Sequence, residues 1–109
     1  MQVNKYEIYL FHRHINYGSA GGCWTTAQVR CRDNAGKAAL LVFYDPELTA
    51  AVPTSRGGSS PLIFIPANQY PWHVDLLRNE SPLSLADDES KWWFGSLRTA
   101  GAEPVGEGE

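Results

Sequence analysis

The chain has 109 residues, 43% of them hydrophobic and 19% charged, with a formal net charge of −3. That length suits one domain around one core, and the apolar share is too high for a disordered chain. No apolar run approaches the roughly 18 residues that span a bilayer, and Lys5 to Ile15 is interrupted by Glu7, His12, Arg13 and His14, so no membrane anchor and no signal peptide are expected and the setting reads as cytoplasmic.

Tyr6, Ile8 and Leu10 alternate with Glu7, Tyr9 and Phe11. This period of two predicts a strand over residues 4–15, on which His12 and His14 share a face. The glycine-rich stretch from Tyr17 to Gly22 reads as a flexible connection. From Cys23 to Arg32 the alternation is clearest. Cys23, Thr25, Ala27, Val29 and Cys31 form the expected core face, and Trp24, Thr26, Gln28, Arg30 and Arg32 the opposite one. Asp33-Asn34-Ala35-Gly36 supplies a hairpin turn, and Lys37 to Tyr44, apolar on both faces from Ala38 onward, predicts a central strand.

Asp45 to Pro61, with three prolines and two adjacent glycines, predicts a long loop with one helical turn near Glu47 to Ala51. Leu62 to Ile65 follows as a short buried strand. Asn68 is a candidate N-cap, Pro71 fits a first helical turn, and Tyr70, Val74 and Leu77 fall on one stripe, which together predict a helix over residues 69–79. Leu83 to Leu85, the acidic turn Asp87-Asp88-Glu89 and Lys91 to Thr99 predict a terminal hairpin. Residues 1–99 are thus one β-rich domain, and residues 100–109 an acidic tail expected to be disordered.

The fold class that follows is α+β, mainly antiparallel β, with a curled or partly closed sheet and one short helix. The strand–strand–strand–helix–strand–strand order is similar to that of oligonucleotide-binding barrels.

Cys23 and Cys31 lie eight residues apart on one strand, roughly 26 Å at the rise of an extended chain, too far for a disulfide. Reduced core thiols are expected. Glu103, Glu107 and Glu109 fall in the last ten residues, which leaves the body neutral. Residues 1–44 nonetheless hold Lys5, Arg13, Arg30, Arg32 and Lys37 against Glu7 and Asp33. A mildly basic sheet face follows, short of the footprint of a dedicated nucleic-acid binder.

Asp75-Leu76-Leu77-Arg78-Asn79-Glu80 followed by Pro82, together with the terminal Glu103-Pro104-Val105-Gly106-Glu107-Gly108-Glu109, resembles small bacterial proteins carried on mobile integron gene cassettes. The resemblance covers residues 72–109 and implies a bacterial, mobile-gene origin. It brings no activity, so no catalytic residue is transferred.

Several clusters hold residue types that can carry chemistry. His12, His14, His73 and Asp75 are metal-ligand types, but an H-x-H pair on a strand is more often an ordinary surface feature, and no metal or cofactor is assigned. Ser19 in Gly18-Ser19-Ala20-Gly21 matches neither a nucleophile elbow nor a phosphate-binding loop, and the carboxylates at Asp87 to Glu89 belong to a solvated turn. No catalytic residue is named, and an enzyme is disfavoured.

Trp24, Arg30 and Arg32, with Tyr9, Phe11 and Arg13 beside them, suit stacking on a single-stranded nucleic acid, which the neutral body and acidic tail oppose. Trp92, Trp93 and Phe94 are consecutive, so a strand must turn at least one ring away from the core or into a partner.

The leading expectation is therefore a non-enzymatic binding or interaction module that forms a homodimer, through the C-terminal aromatic hairpin or the long loop. The alternatives are a small ligand-binding protein or enzyme with a pocket lined by His12, His14, Trp24 and His73, and a single-stranded nucleic-acid binder.

Overall fold

The computed structural model describes residues 2–55, 61–79, 83–85 and 97–99. In chain order the strands are β1 (Gln2–Val3), β2 (Lys5–Asn16), β3 (Gly22–Arg32), β4 (Ala38–Tyr44) and β5 (Leu62–Pro66). Helix α1 (Tyr70–Asn79) and strands β6 (Leu83–Leu85) and β7 (Leu97–Thr99) complete the series. The class is α+β, as the alternation and the single amphipathic stripe predict. Two sheets form: four strands in the order β2-β3-β4-β5, and three short strands in the order β1-β6-β7.

The turn chemistry read from the sequence operates as expected between β3 and β4. Gly36 takes φ +92°, a conformation that lacks steric cost only without a Cβ. Asp33 Oδ1 accepts from the backbone N–H groups of Ala35 at 3.0 Å and Lys37 at 2.8 Å. The Tyr17–Gly22 stretch, expected to be flexible, is tied down: Gly18–Ala20 is a 3-10 turn, Asn16 Oδ1 accepts from Gly18 N–H, and the Thr54 N–H donates to the Ala20 carbonyl.

β4 lies inside its sheet and is buried on both faces, which its uninterrupted apolar run requires. β5, however, pairs with it in parallel, Leu41 opposite Ile63 and Phe43 opposite Ile65. A parallel neighbour needs a crossover of a dozen or more residues. The segment 45–61 is that crossover. It holds a turn over residues 46–48 in place of the expected helical turn.

The sheet is not closed: of the strands after α1, β6 pairs with β1, Leu83 opposite Val3, and β7 pairs with β6, Leu97 opposite Leu85, in the second sheet. The expected likeness to an oligonucleotide-binding barrel therefore fails. β5 enters parallel ahead of the helix, so β6 and β7 do not return to shut the larger sheet.

The helix starts one residue later than predicted, because Ala67–Gln69 form a 3-10 turn that contains Asn68. Val74 and Leu77 are its buried positions, on the predicted stripe. Leu77, together with Leu83 and Leu85, covers one face of the large sheet, over Val29, Cys31, Leu41, Phe43 and Ile63. Burying that many aliphatic and aromatic side chains, each worth about 1.5–3 kcal/mol, is the main term that holds the fold. The Phe43 ring meets Tyr70 edge-on at 5.2 Å and fixes the start of α1 over the sheet.

Candidate binding surface on the open sheet

Both faces of the large sheet contain buried residues, and one position on β3 decides which residue goes where. Thr25 lies opposite Tyr44 and Ala27 opposite Phe43, so β3 has one residue more than β4 at this level, Thr26. An extra residue in one strand interrupts the alternation. The five residues predicted to share one core face are all buried, but they divide. Ala27, Val29 and Cys31 join the cluster beneath α1, and Cys23 joins Val42, Tyr44, Leu62 and Phe64 on the opposite face.

Trp24 is moved by the same step. Instead of lying beside Arg30 and Arg32, it pairs with His14 across β2 and β3. Its ring lies 5.2 Å from that of His12 and 6.2 Å from that of His14. His12 Nε2 stands 3.5 Å from Asp45 Oδ2, an ion pair when the imidazole is protonated. Asp45 is held there because its own N–H donates to the Trp24 carbonyl at 2.8 Å. Gly22 makes room for His14: a Cβ at that position would lie 2.7 Å from the imidazole Cε1.

Three of the four residues expected to line a His/Trp pocket therefore gather. The fourth, His73, packs edge-on against Phe43 at 5.5 Å, with Nδ1 2.8 Å from the Gln69 carbonyl of its own helix. Among the described residues no group of three or more His, Cys, Asp or Glu side chains comes together as metal ligands. Trp92, Trp93 and the turn Asp87-Asp88-Glu89 lie outside the described residues.

The face turned away from α1 is closed at one end and open at the other. At the closed end Tyr17 stacks edge-on over Phe64 at 5.3 Å, and Tyr17 and Ala20 pack on the second buried cluster. The Tyr17 hydroxyl shares a hydrogen bond with Thr25 Oγ1 at 3.0 Å and accepts one from Gln28 Nε2 at 2.7 Å. Burial pushes the Tyr17 phenol upward in pKa. At the open end lies a groove of about 1000 Å³ bordered by Tyr9, Phe11, Arg13, Arg30, Leu40 and Leu62.

The electrostatics of this face follow from the register. Lys5 is opposite Arg32 and Glu7 opposite Arg30, so among the described residues four bases (Lys5, Arg13, Arg30 and Arg32) share the face with one acid. Arg32 Nη2 lies 3.0 Å from Glu7 Oε1, and the Tyr9 hydroxyl donates to Glu7 Oε2. That hydroxyl first, and the Arg32 charge second, hold the Glu7 carboxyl below its usual range. The Arg13 guanidinium sits over the Phe11 ring, 5.2 Å from its centroid.

Cations, aromatic rings and an apolar floor are the groups of a binding surface. Tyr9, Phe11 and Arg13 were legible from the period of β2. Leu40 was legible in principle, since counting outward from the Asp33–Gly36 turn sets it opposite Arg30. Leu62 was not, because its place depends on the parallel crossover.

No protein-family model, curated protein or solved structure matches this chain. The likeness to integron-cassette proteins therefore rests on the residues that suggested it.

Proposed function

We propose that the chain is an interaction module that self-associates through the outer edge of β2. The observation that carries the reading is Leu10, 70% exposed at the middle of a 12-residue strand that ends its sheet, beside Tyr9 at 44%. Among the described residues, β3 is the only strand that pairs with β2. An end strand presents unpaired backbone N–H and C=O groups, and a long one with exposed apolar side chains is a template for another strand.

The sequence of β2 is complementary to itself. Antiparallel pairing about a two-fold axis at Leu10 sets Tyr9 opposite Phe11, Ile8 opposite His12 and Glu7 opposite Arg13 of the second copy. Aromatic rings then meet aromatic rings and a carboxylate meets a guanidinium. A register centred on Tyr9 would instead oppose Lys5 and Arg13, two like charges. Trp92 and Trp93, the other candidates for self-association, lie outside the described residues.

We infer a cytoplasmic setting from the two thiols, Cys23 and Cys31, which are free and buried, a state that a reducing compartment maintains. No helix among the described residues is long and apolar enough to cross a membrane.

Light scattering on the purified chain tests the reading. A dimer mass is expected, falling to a monomer in Leu10→Lys, which opposes two ammonium groups at the axis while leaving the circular dichroism unchanged. A monomer at every concentration of the unmodified chain would sink it.

A further inference from the structure

We propose that the groove on the open face of the sheet takes a small ligand with an apolar body and a single carboxylate. The site shares Tyr9, Phe11 and Arg13 with the self-association strand and adds Arg30, Leu40 and Leu62 from the face of the sheet, so the inference goes beyond the preceding one.

Its floor is apolar. Leu62, 5% exposed, and Leu40 lie side by side on β5 and β4, and Tyr9 and Phe11 stand along β2 as the wall. A cleft of this size that sets a few polar groups beside apolar and aromatic side chains is the usual form of a small-molecule site.

The charged groups are Arg13 and Arg30, Gln28 is a further polar side chain, and among the described residues no carboxylate lines the groove. Glu7, the one acid on the face among the described residues, is already bonded to Arg32 and to the Tyr9 hydroxyl. Among the described residues Arg30 forms no ion pair, although its side chain lies beside Leu40 at the floor. A guanidinium presents five N–H donors in a fork that matches a carboxylate, so Arg13 can hold an anion while it also meets Glu7 of a second copy.

A single carboxylate fits better than a polyanion. The chain as a whole carries a net charge of −3, which repels an extended polyanion, whereas two arginines at short range attract one acid locally. The apolar floor also matches a hydrocarbon tail and offers nothing to a sugar–phosphate backbone.

Isothermal titration calorimetry with decanoate tests the proposal, with decanol supplying the tail without the charge and propionate the charge without the tail. Decanoate is expected to bind at least about tenfold more tightly than either. The double variant Arg13→Gln/Arg30→Gln is expected to lose about tenfold in decanoate affinity, while Arg78→Gln, which removes a positive charge from α1, keeps it. Amide NMR shifts on adding decanoate are expected at Leu40 and Leu62, which locates the site independently of any variant. No heat with decanoate, equal binding of decanol, an unchanged double variant, or tighter binding of a single-stranded oligonucleotide would each overturn it.

Discussion

The Thr26 hydroxyl donates to the Phe43 carbonyl oxygen at 3.1 Å, at the one level where β3 is longer than β4. The bond supports the extra residue that sends Trp24 to the face of the histidines and Thr25 to the opposite face. Thr26→Val keeps the shape of the side chain and removes the donor. It is expected to lower the unfolding free energy by about 1 kcal/mol, read from the urea midpoint. An unchanged midpoint would mean that strand register alone holds the irregularity.

The Glu7 carboxylate reports on the cationic face. Its pKa is held below the ordinary 4.5, first by the Tyr9 hydroxyl and then by the Arg32 charge. A carboxyl lowered in the fold adds stability above its unfolded value, and that contribution is lost as the pH falls through the lower folded value. An NMR titration is expected to place the Glu7 midpoint under 4.5. Tyr9→Phe is expected to return it further than Arg32→Gln does. A Glu7 midpoint that neither substitution moves would contradict this arrangement.

Burial pushes the Cys31 thiol up to about 12 from an ordinary 9.0, and the Cys23 thiol is raised by burial as well. Since the thiolate is the reactive form, both are expected to resist thiol reagents at pH 8 until the chain unfolds. The labelling rate then follows the unfolding equilibrium. For Cys31 the fold has its full stability below pH 9.0, where both states hold the proton, and weakens as the pH rises toward about 12, because the unfolded thiol ionises first. Rapid labelling of the native chain would rule this out.

Much of the fold was written in short-range pattern. The period of two gave β2 and β3, the Asp33–Gly36 turn gave the hairpin and its register, and Tyr70, Val74 and Leu77 gave the helix stripe. These are local signals, set by backbone geometry and by which side chains alternate. The parallel placement of β5 was not legible, because a crossover leaves no mark on the periodicity of the strands it joins. The joining of β1 to β6 was hidden for a related reason: two residues, Gln2 and Val3, are too few to show any period.

The candidate site divides in the same way. By itself the sequence determined that β2 and β3 carry bases and aromatic rings on alternate positions, because alternation follows from the pleat of each strand. Only the tertiary structure decided which of those positions share a face. The single extra residue at Thr26 reverses the sides of β3 relative to β4, a relation between two strands that neither contains alone. It also decided that one end of that face is covered by Tyr17 and Ala20 and the other left as a groove, since covering a surface requires packing between segments distant along the chain.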